Sequence, residues 1–310
     1  MSRPHFGVTL PQSKRSWREA SDAAREFERL GFDSLWVCDH FFGVPAPQLP
    51  ILEAWTELTA VAALTERVEL GTLVTPPLLR HPAVLAKQVA TLDQIAPGRP
   101  IIGLGAGWFE AEFKGYGAPF PPVRERLRAL EESIEIIRGL YREECFSYVG
   151  DVFSVENAYC EPKPETAPRL LIGGGGEQIL LRIAAKHADI WNNLAVNQGQ
   201  LERKVRVLRE RCAEIGRDAS EITISQQCLV VIDEDDAAAE ASLAKAKKIY
   251  GEHMGRSLED HGVWGAPGRV IEGIERHRAL GCEHFVIEFF GRDTRLPARL
   301  FSEKVLPTFA

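Results

Sequence analysis

Short, largely apolar segments alternate along this chain with longer segments in which apolar residues recur every three or four positions. The segment "HFGVTL" at 5–10 favours a β-strand, and the segment after it has apolar residues at helical spacing. Ser16 and Glu19 are spaced as in a capping box, and Gly31 stands where the apolar pattern stops. This part of the chain therefore predicts a strand followed by a helix over about 16–30.

The same alternation continues almost to the C-terminus and predicts eight strands separated by helices. The predicted strands cover 5–10, 33–39, 68–74, 99–107, 169–174, 189–193, 221–232 and 283–290. The later predicted helices cover about 51–64, 82–96, 122–143, 177–187, 198–216, 235–250 and 267–280, and a last helix closes the chain. Apolar strands separated by helices are typical of a parallel sheet that is covered on both faces.

Two architectures satisfy this alternation, an open doubly wound sheet and a closed (β/α)₈ barrel. Eight units fill the 310 residues, and barrels commonly run to about 250 residues and beyond. A weak internal repeat also favours closure, since "RLGFDSLWV" at 29–37 resembles "ALGCEHFVI" at 279–287. We therefore predict an α/β fold of the TIM-barrel type.

Two segments exceed a minimal barrel. The segment 142–168 carries aromatic residues, a Gly-Asp turn signal and a proline-rich exit, so it predicts an inserted β-hairpin. The segment 251–267 is irregular in pattern, and we interpret it as a mobile loop or lid. Such insertions often shape a substrate pocket. The predicted organisation is a single barrel domain, 1–310, with these two insertions.

Composition and charge exclude several classes of protein. The chain is 45% hydrophobic and 26% charged, which is ordinary for a globular protein. A net charge of −7 with interspersed signs argues against a nucleic-acid partner, which requires a basic face. No apolar run approaches the roughly 20 residues needed to cross a bilayer, and the N-terminus does not have the pattern of a signal peptide. We therefore expect a cytoplasmic protein with no membrane partner.

Cysteine and histidine spacing predicts no metal site. The six cysteines are scattered without a C-x-x-C pair, which indicates reduced thiols. The eight histidines include no H-x-H or H-E-x-x-H pair, which argues against a metal-dependent hydrolase.

An acid and an imidazole stand together at the end of the second predicted strand. In "SLWVCDHFF" the apolar residues lead directly to Asp39 and His40. Because barrel active sites lie at the C-terminal ends of the strands, both residues would fall on the catalytic rim. A histidine there is suited to acid–base catalysis. The alternative is that Asp39 caps the next helix and His40 faces solvent.

Two more rim segments are marked by proline and glycine. In "GTLVTPPLLRHP", Pro76 and Pro77 prevent the third strand from continuing. In "GLGAGWFEAEF", glycine occupies every second position from Gly103 to Gly107, which departs from the spacing of a dinucleotide fingerprint. We expect these glycines to let a flat ligand approach the backbone closely.

Four consecutive glycines at 173–176 separate a predicted strand from a predicted helix. Such a run would leave main-chain N–H groups free at a helix N-terminus, where they bind phosphate. The first helical turn would hold Glu177, so a phosphate should meet the glycine amides and not that carboxylate. The alternative is a flexible connector.

Together these segments identify a family resemblance. The stretches "FDSLWVCDHF", "GTLVTPPLLRHPAVLAKQVATLD", "GRPIIGLGAGWFEAEF" and "IGGGGEQ" occur in the order and spacing of the luciferase-like monooxygenase superfamily. The closest resemblance is to its coenzyme F420-dependent oxidoreductase branch, over about 5–195 and more weakly from about 265. The resemblance implies a (β/α)₈ barrel, usually a homodimer, with a deazaflavin or flavin across the strand ends.

The resemblance also implies roles for individual residues. Asp39 would contact the cofactor's ring system, and His40 would be the catalytic acid or base. A non-prolyl cis peptide would lie behind the ring within 72–74, with Leu73–Val74 the favoured bond. The residues expected to contact the cofactor are Asp39, Thr72, Leu73, Val74, Thr75, Ala106, Gly107, Gly173, Gly174, Gly175 and Gly176.

One position departs from the sugar-phosphate dehydrogenases of this branch. Those enzymes have a glutamate for proton transfer after the glycine that matches Gly107, whereas this chain has Trp108. We expect helical geometry to turn Glu110 and Glu112 elsewhere. The basic residues that bind a sugar phosphate are not evident either. Trp108 therefore suggests a more apolar or aromatic substrate, and Trp264 is a second candidate for the pocket wall.

The sequence leaves three functional hypotheses. The first is an F420-dependent oxidoreductase that transfers a hydride between deazaflavin C5 and a small, rather apolar organic substrate. The alternative is an FMN-dependent two-component monooxygenase of the same fold, supplied with reduced flavin by a separate reductase. The third is a non-catalytic cofactor carrier, against which the presence of both Asp39 and His40 argues.

Overall fold

The computed structural model describes residues 3–43 and 46–310. Its strands are β1 (His5–Thr9), β2 (Ser34–Val37), β3 (Glu69–Thr72), β4 (Pro100–Leu104), β5 (Phe146–Val149), β6 (Ser154–Ala158), β7 (Arg169–Gly173), β8 (Ile190–Asn193), β9 (Thr223–Ile232), β10 (Val263–Gly265) and β11 (Cys282–Phe289). Its helices are α1 (Trp17–Arg29), α2 (Ala54–Ala62), α3 (Pro82–Ile95), α4 (Glu110–Gly115), α5 (Val123–Arg142), α6 (Leu180–His187), α7 (Leu201–Glu214), α8 (Asp236–Met254), α9 (Leu258–His261), α10 (Pro267–Ala279) and α11 (Arg295–Lys304). In these described ranges, none of the helices combines the length and the apolar character that a membrane span requires.

A closed parallel barrel forms the centre of the molecule. Within the described residues, eight strands pair in the order β9, β11, β1, β2, β3, β4, β7 and β8, and β8 pairs again with β9. This last pairing joins the two edges, so the predicted barrel is confirmed and the open sheet is excluded. All eight predicted strands are present.

Local sequence signals set the limits of the first helix. Ser16 accepts a hydrogen bond from the Glu19 amide, and the Glu19 carboxylate accepts one from the Ser16 amide, so the predicted capping box is present. Gly31, with φ of +90°, ends the helix in the left-handed region that favours glycine. Between these limits Ala20, Ala24 and Phe27 are buried.

The barrel interior is packed by side chains and is not a pore. Its apolar part consists of Trp36, Leu73, Ile101, Leu171, Ile190 and Val286, with Val74 packed against them. Trp36 lies across the interior, where a Cβ atom on Gly7 or Gly71 would come within 2.4 Å of its ring. These two glycines therefore make room for the indole.

A polar layer lies below Trp36, near the N-terminal ends of the strands. The rings of His5 and His284 stack with centroids 4.4 Å apart. His5 Nε2 lies 2.8 Å from the Ser34 hydroxyl, and His284 Nδ1 lies 2.7 Å from the Ser225 hydroxyl. Burial lowers the pKa of His5 to about 4 and lowers the pKa of His284 well below its ordinary value. Both imidazoles are therefore neutral near pH 7.

The two predicted insertions have different outcomes. Within 142–168, β5 and β6 form the predicted antiparallel hairpin. The expectation of an irregular loop at 251–267 was wrong for the described part, because α9 and β10 lie there; the side chains at 252 and 253 lie outside the described residues. β10 can form there because β9 is ten residues long, and its C-terminal part pairs with β10 beyond the region paired with β8.

Candidate active site at the barrel mouth

His40 forms a hydrogen-bonded pair with a buried carboxylate. Its Nδ1 atom lies 3.2 and 3.1 Å from the two carboxylate oxygens of Glu112, whose side chain is fully buried. A carboxylate can only accept, so Nδ1 carries a proton and Nε2 of the neutral ring is free to accept one. The pair thus holds the tautomer that a general base requires.

Glu112 also binds the main chain that follows His40. The amides of Phe41 and Phe42 donate to Glu112 Oε1 at 2.6 and 2.9 Å. Burial alone would raise the pKa of Glu112, but the hydrogen bonds from His40, Phe42 and Phe41 outweigh it and lower the pKa. Glu112 is therefore an ionised anchor for both the imidazole and its backbone.

Helical geometry was expected to turn both Glu110 and Glu112 elsewhere, and this is correct for Glu110 but wrong for Glu112. Glu110 does turn away, since it pairs with Lys114 one helical turn later at 2.6 Å. Glu112 does not, because it stands two positions further round the first turn of α4 and so faces the end of β2. Trp108 stands where the resemblance implies a proton-transfer glutamate. A different carboxylate, that of Glu112, contacts His40 in this chain.

Aromatic rings surround the exposed side of His40. Trp108 is 56% exposed, and its ring meets the imidazole edge to face with centroids 5.8 Å apart. Phe109 stacks on Trp108 at 5.2 Å and lies 6.3 Å from His40. The structure therefore brings the predicted catalytic residue and the predicted pocket residue Trp108 together.

Asp39 is committed to an internal network. Its side chain is 2% exposed, and it accepts two hydrogen bonds from the Arg80 guanidinium at 2.6 and 2.7 Å. The Thr75 hydroxyl and the Trp55 indole donate to the same carboxylate at 2.8 and 3.2 Å. Arg80 also pairs with Glu53. The carboxylate thereby fixes the ends of β2 and β3 relative to each other, and its contact with a cofactor stays a prediction.

The end of β3 has the unusual backbone that the resemblance implied. The Leu73–Val74 peptide bond is cis. Thr72 and Thr75 flank it, both fully buried, with their hydroxyl oxygens 3.0 Å apart and the Thr72 hydroxyl donating to the Gly103 carbonyl. The four predicted residues thus form one packed unit between β2 and β4.

Two glycines in and just after β4, Gly103 and Gly105, make room for the chain at the end of β3. A Cβ atom on Gly103 would lie 1.7 Å from the Thr72 carbonyl oxygen, and one on Gly105 would lie 2.4 Å from the Val74 side chain. A Cβ atom on Gly173 would meet Val74 as well, at 2.7 Å. Gly103 and Gly105 therefore accommodate the end of β3, and the expectation that they admit a flat ligand stays a prediction.

The next two predicted cofactor residues lie where β4 leads into α4. Ala106 is partly buried against the core. Gly107 has φ of +75°, and a Cβ atom there would meet the Phe113 ring at 2.6 Å. Glycine is required at 107 because φ is positive there and because Phe113 of α4 leaves no room for a side chain. The next residue, Trp108, faces His40.

The four-glycine turn exposes main-chain donors as predicted. Gly174 donates to the Asn192 carbonyl at 3.1 Å, whereas among the described residues the amides of Gly175 and Gly176 donate to no protein group. The helix begins later than expected, at Leu180, because the residues 177–179 form a turn first. Free donors are thus present, although they precede the helix by several residues.

Lys204 supplies a positive charge at this turn, which the sequence analysis did not identify. Its buried ammonium donates to the Gly175 carbonyl at 2.6 Å and lies 3.6 Å from Glu177. Arg203 pairs with the same carboxylate at 2.8 Å, chiefly through a hydrogen bond that lowers the pKa of Glu177. Two cations therefore offset one acid, and the turn fits an anion. No sequence pattern marks Lys204, because it stands 29 positions after Gly175, on the ordinary amphipathic helix α7.

Trp264 lies in a separate apolar cluster. Its side chain is 7% exposed, its indole N–H donates to the Glu259 carbonyl at 2.9 Å, and the Arg269 guanidinium lies over its ring at 3.5 Å. The cluster packs α8, α9 and β10 against Leu229 and Val231 of β9. The structure does not bring Trp264 to the His40–Glu112 pair, and its role as a pocket residue stays a prediction.

Proteins of known name resemble this chain over nearly its whole length. The sequence profile described as luciferase-like monooxygenase matches residues 1–281. A Microbacterium testaceum protein named F420-dependent glucose-6-phosphate dehydrogenase is 31% identical, over 97% of this chain and 96% of that protein. A protein of the same name from Intrasporangium calvum is 29% identical, over 94% of each.

Solved structures share the fold. An F420-dependent secondary alcohol dehydrogenase, determined with an F420-acetone adduct, superposes with a TM-score of 0.85 at 24% identity, over 100% of both chains. The FMN-bound oxygenating constituent of 3,6-diketocamphane monooxygenase from Pseudomonas putida superposes with a TM-score of 0.78 at 19% identity, over 99% of both chains. At these identities the likeness establishes the barrel alone.

Proposed function

This chain belongs to the luciferase-like monooxygenase family, and we propose that it is an F420-dependent oxidoreductase. The reaction is a hydride transfer between the deazaflavin and a small, rather apolar organic substrate, with His40 as the acid or base. The observation that carries the proposal is that a paired histidine and an anion-binding turn lie at the same end of one barrel. The similar proteins named F420-dependent supply the identity of the cofactor.

The residues of the four-glycine turn fit the phosphate of such a cofactor. The free amides of Gly175 and Gly176 can donate to phosphate oxygens, and Lys204 adds charge beside them. A Cβ atom on Gly175 would come within 3.0 Å of the Lys204 ammonium and 2.9 Å of the Asn197 amide nitrogen, so glycine there lets these groups approach the backbone closely. When bound, the deazaflavin would supply the hydride-carrying atom, C5.

His40 and Glu112 act as one acid–base unit in this proposal. Glu112 holds the Nδ1 proton, so His40 Nε2 can take a proton from a substrate hydroxyl or return one to an oxygen. The imidazolium that forms would be stabilised by the ionised carboxylate at 3.1 Å. Trp108 and Phe109 limit access of water to one side of the ring.

The aromatic surroundings favour an apolar substrate over a sugar phosphate. Trp108 presents a large exposed ring next to His40, where a polar, anionic sugar would gain little. The similar proteins named for glucose 6-phosphate make that sugar the comparison substrate. Turnover assays with glucose 6-phosphate and with small alcohols and ketones test this part of the proposal, and activity with the sugar phosphate alone would overturn it.

Titration of the purified protein with F420 and with FMN tests the cofactor. Saturable quenching of F420 fluorescence, with weaker or undetectable FMN binding, is the expected result. Tight binding of FMN without binding of F420 would contradict the proposal and would favour the FMN-dependent monooxygenase instead.

A further inference from the structure

Glu288 points into the barrel mouth from the last strand. Along β11, alternate residues face the barrel interior: His284 stacks on His5, and Val286 packs in the apolar cluster of Trp36. Glu288 follows at the same interval of two residues, so it faces the interior near the C-terminal end of the strand. A carboxyl group thus stands above the packed part of the barrel, at the end where His40 lies.

Tyr250 holds one oxygen of this carboxyl group. Its hydroxyl donates to Glu288 Oε1 at 2.5 Å. Tyr250 reaches this position from α8, immediately before Gly251, where φ of +48° interrupts the helix. Among the described residues, Glu288 Oε2 has no hydrogen-bond partner, and the side chain is partly accessible. One oxygen is therefore oriented and the other is available to a ligand.

Three carboxyl groups, those of Glu288, Asp39 and Glu57, lie near the Cys38 thiol. Burial, together with the carboxylates of Glu288, Asp39 and Glu57, raises the pKa of the Cys38 thiol to about 12. Glu57 is itself buried without a partner for either oxygen, and burial raises its pKa to about 8. The Arg80 guanidinium is bound to Asp39 and Glu53.

We propose that Glu288 and Tyr250 form the hydrogen-bonding anchor for a neutral hydroxyl or carbonyl oxygen of the substrate at the barrel mouth. This inference rests on the proposed function and adds the polar group that an otherwise apolar substrate must carry. Burial raises the pKa of Glu288, although the hydrogen bond from Tyr250 opposes the shift. A protonated Oε2 donates to the substrate oxygen and also accepts from a hydroxyl.

The same arrangement selects against phosphorylated substrates. A phosphate brought beside Glu288 would meet a carboxyl group, whereas the Lys204 ammonium lies at the four-glycine turn. The anion-binding turn with Lys204 lies at the end of β7, three strands from β11 around the barrel. The substrate class is therefore small, neutral alcohols and ketones.

Infrared difference spectroscopy of the apoprotein at neutral pH tests the anchor without the cofactor. The carbonyl stretching band of protonated Glu288 is defined as the band lost in Glu288→Gln and kept in Glu283→Gln, a variant of the same strand whose side chain faces the opposite side. Cyclohexanol, a neutral probe without a carbonyl group, should shift this band in the wild type. Glucose 6-phosphate should leave it in place.

Three results would overturn the proposal: no such band in the wild type, a band that cyclohexanol does not move, or a band that glucose 6-phosphate moves equally. Tyr250→Phe, which removes the donor to Oε1, should shift the band without abolishing it, and this readout remains decisive if Glu288→Gln fails to fold. F420 binding is measured separately by fluorescence quenching. A positive infrared result without F420 binding would reject the proposed cofactor and keep the anchor, and the reverse would reject the anchor alone.

Discussion

The two ends of the barrel use histidine in opposite ways. At the N-terminal end, His5 and His284 stack on each other, bind serine hydroxyls and are held neutral by burial. At the C-terminal end, His40 binds the ionised carboxylate of Glu112 and meets an exposed indole. The residue type is the same, but only the second environment stabilises an imidazolium. This contrast separates a structural layer from a site equipped for proton transfer.

The largest expected effect comes from removing the imidazole at the mouth. His40→Ala should lower kcat about 10²–10⁴-fold, the usual contribution of a general acid or base, and should leave F420 binding nearly unchanged. His261→Ala, at an exposed position on α9, is the matched control and should keep full activity. Steady-state kinetics with a neutral alcohol or ketone, beside fluorescence titration, measures both quantities. Full activity in His40→Ala would show that His40 is not the catalytic acid or base, so that neither end of the barrel would have a proton-transfer histidine.

The neutral histidines at the N-terminal end of the barrel, His5 and His284, should affect the free energy of unfolding and not the rate of catalysis. The pKa of His5 is about 4 in the folded protein and about 6.5 when unfolded. Between these two pKa values the unfolded chain binds a proton at His5 that the folded protein does not. The contribution of His5 to the free energy of unfolding is therefore complete above pH 6.5 and is lost as the pH falls toward 4. The free energy of unfolding should decrease by about 3 kcal/mol across this range.

Urea denaturation at several pH values measures this loss. The variant His5→Gln should show a flatter dependence on pH between 6.5 and 4 than the wild type. An equally steep dependence in the variant would show that His5 is not the group responsible.

Removing the charge of Glu112 should weaken the acid–base unit without removing it. Glu112→Gln replaces a charge-assisted hydrogen bond worth about 1.5–3 kcal/mol, so kcat should fall roughly tenfold to a hundredfold. Glu110→Gln, on the same helix, is the control and should keep the wild-type kcat. Steady-state kinetics measures both variants, and a wild-type kcat in Glu112→Gln would contradict the role of Glu112 in the acid–base unit.

The smallest expected effect is at the aromatic wall. Trp108→Ala should raise KM for a neutral substrate roughly fivefold, corresponding to about 1 kcal/mol of lost ring contact, with little change in kcat. Trp108→Phe keeps an aromatic face and should lie close to the wild type. If Trp108→Ala lowered kcat and KM stayed constant, the indole would act on His40 and not on the substrate.

The features that were predicted correctly depend on local or periodic signals. Apolar strands, the capping box at Ser16 and the prolines after Thr75 each indicate their own conformation, and the resemblance located the cis bond at Leu73–Val74. A carboxylate at the catalytic rim could be expected from Asp39 alone. Its commitment to Arg80 could not, since that contact joins positions 41 residues apart.

The features that were missed depend on how short elements are oriented. The direction of Glu112 is set by the six-residue helix α4, which begins after the positive φ of Gly107, and no periodic pattern reports that rotation. The Tyr250–Glu288 contact needs both the end of α8 and the inward face of β11. The sequence could not show that the Thr72 carbonyl packs against Gly103, because that carbonyl comes from another strand.

The central claim is that the barrel mouth binds F420 through the four-glycine turn. A side chain fits at Gly176, where the nearest atom to an added Cβ, on Leu180, lies 3.5 Å away. Fluorescence titration of wild type, Gly176→Asp and the isosteric neutral control Gly176→Asn with F420 tests the claim most directly. We predict saturable binding by the wild type, about tenfold weaker binding by Gly176→Asp because of charge repulsion, and a much smaller change in Gly176→Asn. Absence of F420 binding by the wild type, or equal affinity in all three proteins, would contradict the account.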